Sequence, residues 1–148
     1  MIRTVNLPCE PAEVYSVLTD PIRLAAWLNV TSATTGIDIF HVFEVVEKKT
    51  DPAWQVRGVV VHYETDRQIQ VEARETDHAP KGPLTFTIEP EGERAVLQIE
   101  WEQRFILPLV ERMIDPQSVI RLELISQKLR KGKAFYPDST CAEHPSPA

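Results

Sequence analysis

The chain has 148 residues, 43% hydrophobic and 26% charged, with a formal net charge of -6 at pH 7. That size suits one domain around a single core. The acidic balance disfavours nucleic acid and an anionic membrane surface, because both are recognised by clustered lysine and arginine. Two cysteines, Cys9 and Cys141, make no disulfide framework, and no His or Cys pair has metal-ligand spacing. The N-terminal stretch MIRTVNLPCE has no apolar signal region, and no apolar run of about 18 residues occurs. A reduced, cytoplasmic chain is expected, with no metal, no cofactor and no membrane insertion.

Ile2 to Leu7 alternates around Arg3, Thr4 and Asn6 and reads as a first strand, which Pro8 ends because proline cannot donate to a ladder. Two helix starts follow without a linker in CEPAEVYSVLTDPIRLAAWL, Cys9 to Leu28. Pro11 sits in a first turn, where its missing N–H costs nothing, and Glu13 meets the positive end of the helix dipole. Val14, Val17 and Leu18 are spaced i, i+3, i+4 and form one apolar face. Asp20-Pro21 repeats the start signal, an N-cap acceptor with proline at N1, and Leu24, Trp27 and Leu28 repeat the spacing.

Residues 29–38, rich in Thr, Ser and Asn, read as a loop closing on Gly36. Strands are expected at Phe40 to Lys48 and at Trp54 to Glu64, the second carrying Gly58 where a bulge or bend is plausible. Gln68 to Glu75 places Ile69, Val71 and Ala73 on one face. Leu84, Phe86 and Ile88 alternate with Thr85, Thr87 and Glu89. After a Pro90-Glu91-Gly92-Glu93 hairpin turn, Leu97, Ile99 and Trp101 alternate with Gln98, Glu100 and Glu102. One-sided alternation means antiparallel strands with one face on a core.

Something must cover that face. The segment from about Leu107 to Lys133 fits, with Met113, Ile120 and Leu124 on one stripe and Val110, Ile114, Ile125 and Leu129 on an adjacent one. Asp115-Pro116 interrupts it, as a kink or as a restart with a fresh cap. A polar, proline-bearing tail is expected over 135–148, leaving 1–134 as the domain.

The order of elements in PAEVYSVLTDPIRLAAWL (11–28), FEVVEKKTDPAWQVRGVVV (43–61) and GPLTFTIEPEGERAVLQIEWEQRF (82–105) resembles the START-like, or SRPBCC, superfamily, and within it the polyketide cyclase/dehydrase-related branch. The resemblance implies an α+β helix-grip fold. A curved antiparallel sheet would wrap one long C-terminal helix, and two short N-terminal helices would plug one end. It also implies a groove that takes a small hydrophobic molecule, such as a lipid, an isoprenoid or a polyketide-like aromatic. The superfamily shares no universal catalytic motif, so no catalytic residue is carried over.

Such a groove needs apolar walls and a few placed polar groups. The expected walls include Ile69, Val71, Leu84, Phe86, Leu97, Ile99, Trp101, Met113, Ile120 and Leu124, although a filled core would use the same residues. Trp27 would close the plug near loop 29–38, or simply pack as core. Strict alternation puts His62 with Trp54, Val56 and Val60, and puts Tyr63 and Arg57 on the opposite face with Val59 and Val61. Which face points inward is open. An inward His62 would be a candidate acid/base, and Tyr63 and Arg57 are the equivalents for the other register. A satisfied or exposed histidine is the plainer expectation. Gln103 is a candidate rim group, and His41 and His78 are expected in solvent. The acidic row Glu89, Glu91, Glu93, Glu100 and Glu102 reads as a solvated outer face that discourages edge-to-edge aggregation.

No nucleophile motif and no glycine-rich phosphate loop occurs. Binding of a hydrophobic ligand is therefore expected rather than catalysis. A cyclase or dehydratase and a protein-interaction module are the alternatives. An edge strand at 2–7 or 40–48 leaves open a homodimer paired across a two-fold axis.

Overall fold

The structure is a computed structural model and describes residues 1–37, 41–75, 80–102 and 107–134. Gln103, His78, Cys141 and the expected tail at 135–148 lie outside the described residues. In chain order the elements are β1 (Ile2–Leu7), α1 (Pro11–Thr19), α2 (Pro21–Leu28), β2 (Ser32–Thr35), β3 (Val42–Glu47), β4 (Trp54–Glu64), β5 (Gln68–Arg74), β6 (Gly82–Glu91), β7 (Arg94–Trp101), α3 (Leu107–Ile114) and α4 (Pro116–Ala134).

The seven strands form one antiparallel sheet in the order β1-β7-β6-β5-β4-β3-β2. Its inner face buries every second residue, from Val5 and Leu7 to Leu97, Ile99 and Trp101. With helices covering that face, this is the α+β helix-grip architecture.

Each short helix starts on its proline. Glu13 Oε1 accepts from the Glu10 N–H at 3.2 Å in a capping-box arrangement. Asp20 closes α1 and opens α2, accepting from Ile22 N at 2.9 Å and Arg23 N at 3.3 Å. The α2 helix ends on Asn29 in the left-handed conformation, φ 54°, which asparagine tolerates better than most residues.

Within the expected loop 29–38, Ser32–Thr35 is a strand paired with β3, burying Ala33 and Thr35. Its polar composition hid a period-two pattern carried by alanine and a β-branched residue. With β2 on the outside, the two edges are β1 and β2, and the segment 40–48 is not an edge.

Of the two readings of Asp115-Pro116, kink and restart, the restart is the one observed, so the long C-terminal segment is two helices. Asp115 Oδ1 accepts from Gln117 N at 2.8 Å, so Pro116 begins a freshly capped helix. That restart shifts the phase. Met113 is buried with Leu109 and Val110, but α4 buries Ser118 and Leu122, with Val119, Ile125 and Leu129 packed beside them. Ile120 and Leu124, expected on the Met113 stripe, are 49% and 51% exposed. Residues seven apart share a stripe only when the helix between them is unbroken.

No described helix is long and apolar enough to cross a membrane, and no described group of three His, Cys, Asp or Glu is placed to hold a metal ion.

Candidate functional site

The strand register organises the inner face into transverse rows. One row runs Val60, Val71, Leu84, Trp101 across β4, β5, β6 and β7. The next runs Tyr63, Ile69, Phe86, Ile99. A third joins Ile88, Leu97 and Val5. At the other end lies a row of small residues, Gly58, Ala73 and Gly82, next to Phe43.

Tyr63 reaches its row because β4 is bulged. Val60 pairs with Val71, but the next pair is His62 with Gln70, leaving Val61 as the extra residue. The bulge reverses the alternation. His62 therefore leaves the face of Val56 and Val60, and Tyr63 joins it, opposite Ile69.

The three candidate acid/base residues are thereby separated. Arg57 stays on the outer face and binds Glu44 at 2.9 Å. His62 is exposed and lies 3.3 Å from Glu64. Tyr63 alone turns inward, and it is half-exposed near the end of the strand. The structure does not gather Arg57, His62 and Tyr63 around one inner site. It does gather Val71, Phe86, Ile99, Trp101 and Met113 in the buried core, with Trp27 packed on them. Ile120 and Leu124 stand outside it.

Around the Tyr63–Ile69–Phe86 row stand three polar side chains that sequence reasoning did not combine. Trp27, 1% exposed, stands edge-on to Phe86 with ring centroids 6.4 Å apart. Its indole Nε1 is buried without a hydrogen-bond partner. Tyr15, 5% exposed on α1, also buries its hydroxyl, with the Thr65 side chain beside it but no close hydrogen bond. Burial pushes the Tyr15 phenol above its ordinary pKa of 10.0; Tyr63 and Asp66 act in the same direction and Thr65 opposes them. Tyr15 is thus held as a neutral O–H donor. His41, in the left-handed region at φ 51°, packs against Tyr63 at 6.4 Å between centroids. It buries Nδ1 without a partner, rather than lying in solvent as expected. The signal for Tyr15 was available as the i+1 neighbour of Val14 on α1, but nothing local marked its oxygen as unpaired.

Elsewhere, a depression of about 440 Å³ between Glu64, Arg67, Gln68, Thr87 and Pro90 opens to solvent at the strand ends. Its lining is polar, unlike the rows.

The sequence profile described as polyketide cyclase/dehydrase and lipid transport matches residues 2–122. The chain belongs to this family. A search of curated proteins returned no match. Among solved structures the chain is similar to protein MLL2253 from Mesorhizobium loti, with a TM-score of 0.66 and 18% identity over 86% of this chain and 98% of that one. It is similar to protein CV1439 from Chromobacterium violaceum, with a TM-score of 0.67 and 17% identity over 86% and 96% of the two chains. It is also similar to PFC0360w, an HSP90 activator from Plasmodium falciparum, with a TM-score of 0.66 and 10% identity over 84% and 94%. At these identities the likeness is one of fold.

In this polyketide cyclase/dehydrase family member a second polar cluster locks the C-terminal helices to the plug. The last carbonyls of α2 lack partners within the helix. Arg121 Nε donates to Trp27 O at 3.0 Å, and Arg112 Nη1 donates to Leu28 O at 3.3 Å and to Asn29 O. Two cations thus meet the negative end of the α2 dipole. Arg112 also lies over the Trp54 ring, 5.8 Å from its centroid, and donates to Glu47 at 3.2 Å. Glu47 is 4% exposed. It accepts from Lys49 N and Thr31 Oγ1, each at 2.9 Å. Its pKa lies below the ordinary 4.5, first because of the Lys49 N–H, then Thr31 and Arg112, against an opposing effect of burial. Helix α2 therefore ends at Trp27 and Leu28 because residues some 84 to 94 positions later cap it.

Proposed function

We propose that this chain binds a small hydrophobic molecule, such as a lipid, an isoprenoid or a polyketide-like aromatic, between the inner face of the sheet and the helices that cover it. The observation that carries this is the Tyr63–Ile69–Phe86–Ile99 row, an apolar floor attended by buried polar atoms of Tyr15, Trp27 and His41 that make no close hydrogen bond. Apolar walls with a few convergent polar groups are the general make-up of small-molecule sites. Membership of a family described by polyketide and lipid chemistry supports the same reading. Apolar burial supplies most of the affinity, at roughly 25 cal/mol per Å² before ordering costs.

A cyclase or dehydratase is the second reading. It is favoured by the meeting of Tyr15, Tyr63 and His41, groups able to move protons, at one end of the row. A protein-interaction surface around Trp27 and Trp54 has less support, since Trp27 is buried and Trp54 lies partly under Arg112.

The test is native mass spectrometry of the freshly purified protein, then solvent extraction and identification of what leaves it. A stoichiometric apolar molecule, or uptake of one from an added panel of lipids and aromatic polyketides, is expected. An apo mass together with no uptake would count against binding.

A further inference from the structure

Tyr15 and Trp27 present two buried hydrogen-bond donors over one apolar row. Leaving such a donor unpaired costs about 1–3 kcal/mol, so buried polar atoms are almost always satisfied in the working state. An indole N–H can only donate, and a neutral phenol donates readily. At the Trp27 indole water is a poor partner, because a buried water needs two to four polar groups around it. Trp27 stands against Phe86, and the row beneath is Ile69, Phe86 and Ile99. A ligand oxygen needs only the one donor and brings its own apolar body.

The charge of that oxygen is constrained as well. The burial that keeps the Tyr15 phenol protonated penalises any ligand anion at the same place. Asp66 adds to that penalty, since its carboxylate makes ionisation of Tyr15 harder. A carboxylate or phosphate would meet this environment at Tyr15, since the cation on the same row, Arg3 opposite Ile99, stands at its far end, four strands from Tyr63.

We propose that the ligand is an uncharged, oxygen-bearing apolar molecule, of ketone, ester or ether type, and that Tyr15 Oη and Trp27 Nε1 select it by donating hydrogen bonds to its oxygen atoms. This rests on the hydrophobic-ligand reading above and adds a rule of selection to it. A ligand with two oxygens serves both donors, and one with a single oxygen serves one of them. The residues they stand beside, Tyr63 and Phe86, are two strands apart, about 10 Å.

The test uses three probes that share one ring system: 2-acetylnaphthalene, 2-isopropylnaphthalene and 2-naphthoate. Their affinities are measured by calorimetry on the full chain and on Tyr15→Phe, which removes a single oxygen. The ketone is expected to bind roughly ten-fold more tightly than the hydrocarbon, and the carboxylate more weakly than either. Tyr15→Phe is expected to shrink the ketone preference several-fold and to leave hydrocarbon binding in place. Equal binding of ketone and hydrocarbon by the wild-type chain overturns the selection rule while leaving the hydrophobic-ligand reading intact. So does tightest binding of the carboxylate, or a ketone preference unchanged in Tyr15→Phe. Binding of none of the three overturns the hydrophobic-ligand reading for this aromatic class, and the selection rule with it. The wild-type ranking decides the question even if the variant fails to fold.

Discussion

Glu47 and Arg112 show how single side chains hold separate parts of the chain together. Glu47 ends β3, and Arg112 sits on α3, yet the pair also reaches Thr31 and the carbonyls that end α2. Hydrogen bonds to charged groups contribute about 1.5–3 kcal/mol each when well placed, and Arg112 keeps 23% of its side chain exposed, which screens its share. Arg112→Ala is expected to lower stability by about 2 kcal/mol, read as a lower urea midpoint at unchanged slope. The pH dependence has a definite sign. The folded pKa of Glu47 lies below 4.5, so its stabilisation is present above the unfolded value and is lost as pH falls through the folded one. In Glu47→Gln this acid-dependent part of the unfolding free energy should disappear, leaving a flatter profile below about pH 4.5. Neither residue was legible as a site. Glu47 reads as a strand-end carboxylate and Arg112 as a helix-surface cation, and only the fold brings them together.

At the scale of elements, α4 shows what a cap does to a pattern. The apolar residues of 107–133 can be placed on a continuous helix with Ile120 and Leu124 facing in. The restart at Asp115-Pro116 instead buries Leu122 and exposes both. Leu122→Ala should therefore cost about 3 kcal/mol. Ile120→Ser and Leu124→Ser should each stay within about 0.5 kcal/mol of wild type, by the same denaturation measurement. The opposite ranking would mean the unbroken phase is the right one. Strands β5, β6 and β7 were legible because each alternates without interruption, so one register satisfies every residue. β4 was not, because the extra residue Val61 costs nothing in composition and leaves no mark in the sequence, yet it exchanges His62 for Tyr63 on the inner face. β2 was hidden for a different reason. Four small and hydroxylated residues carry too little apolar signal to stand out from a loop.

For the molecule as a whole, the close pairing of β4 with β5 depends on Gly58, in the row of Gly58, Ala73 and Gly82. A Cβ on Gly58 would come within 2.1 Å of the Glu72 carbonyl oxygen and 2.7 Å of the Ala73 Cα, both backbone atoms of the adjacent strand. Neither can yield without opening the β4–β5 pairing. Gly58→Ala should destabilise the protein by about 3 kcal/mol, and amide exchange should quicken first along β4 and β5. The overall fold was readable from the order of elements, since one-sided strands demand a covering layer and helical segments lie at both ends of the sequence. The site was readable only as a pool of apolar residues. Its polar atoms come from α1, α2 and the residue before β3, and their meeting over one row is a property of the register, not of any local motif.

The strand order also has a consequence for how the chain is made. β1 pairs only with β7, joining Ile2 to Glu100 and Leu7 to Ala95. Every other neighbouring pair apart from β1–β7 is formed by strands consecutive in sequence. A ribosome adding about 5–20 residues per second needs roughly 5–20 s to deliver β7 after β1 has emerged. Through that interval the hairpins β2 to β6 can form in turn, while Val5 and Leu7 wait without their partner strand. Closure by β7 is a single late event of high sequence separation, the kind that slows folding. It seats the first strand and completes the apolar rows at the same moment. The inner face of the sheet is therefore complete only once β7 has joined β1, and a nascent chain halted before residue 94 would carry an open sheet with exposed apolar rows.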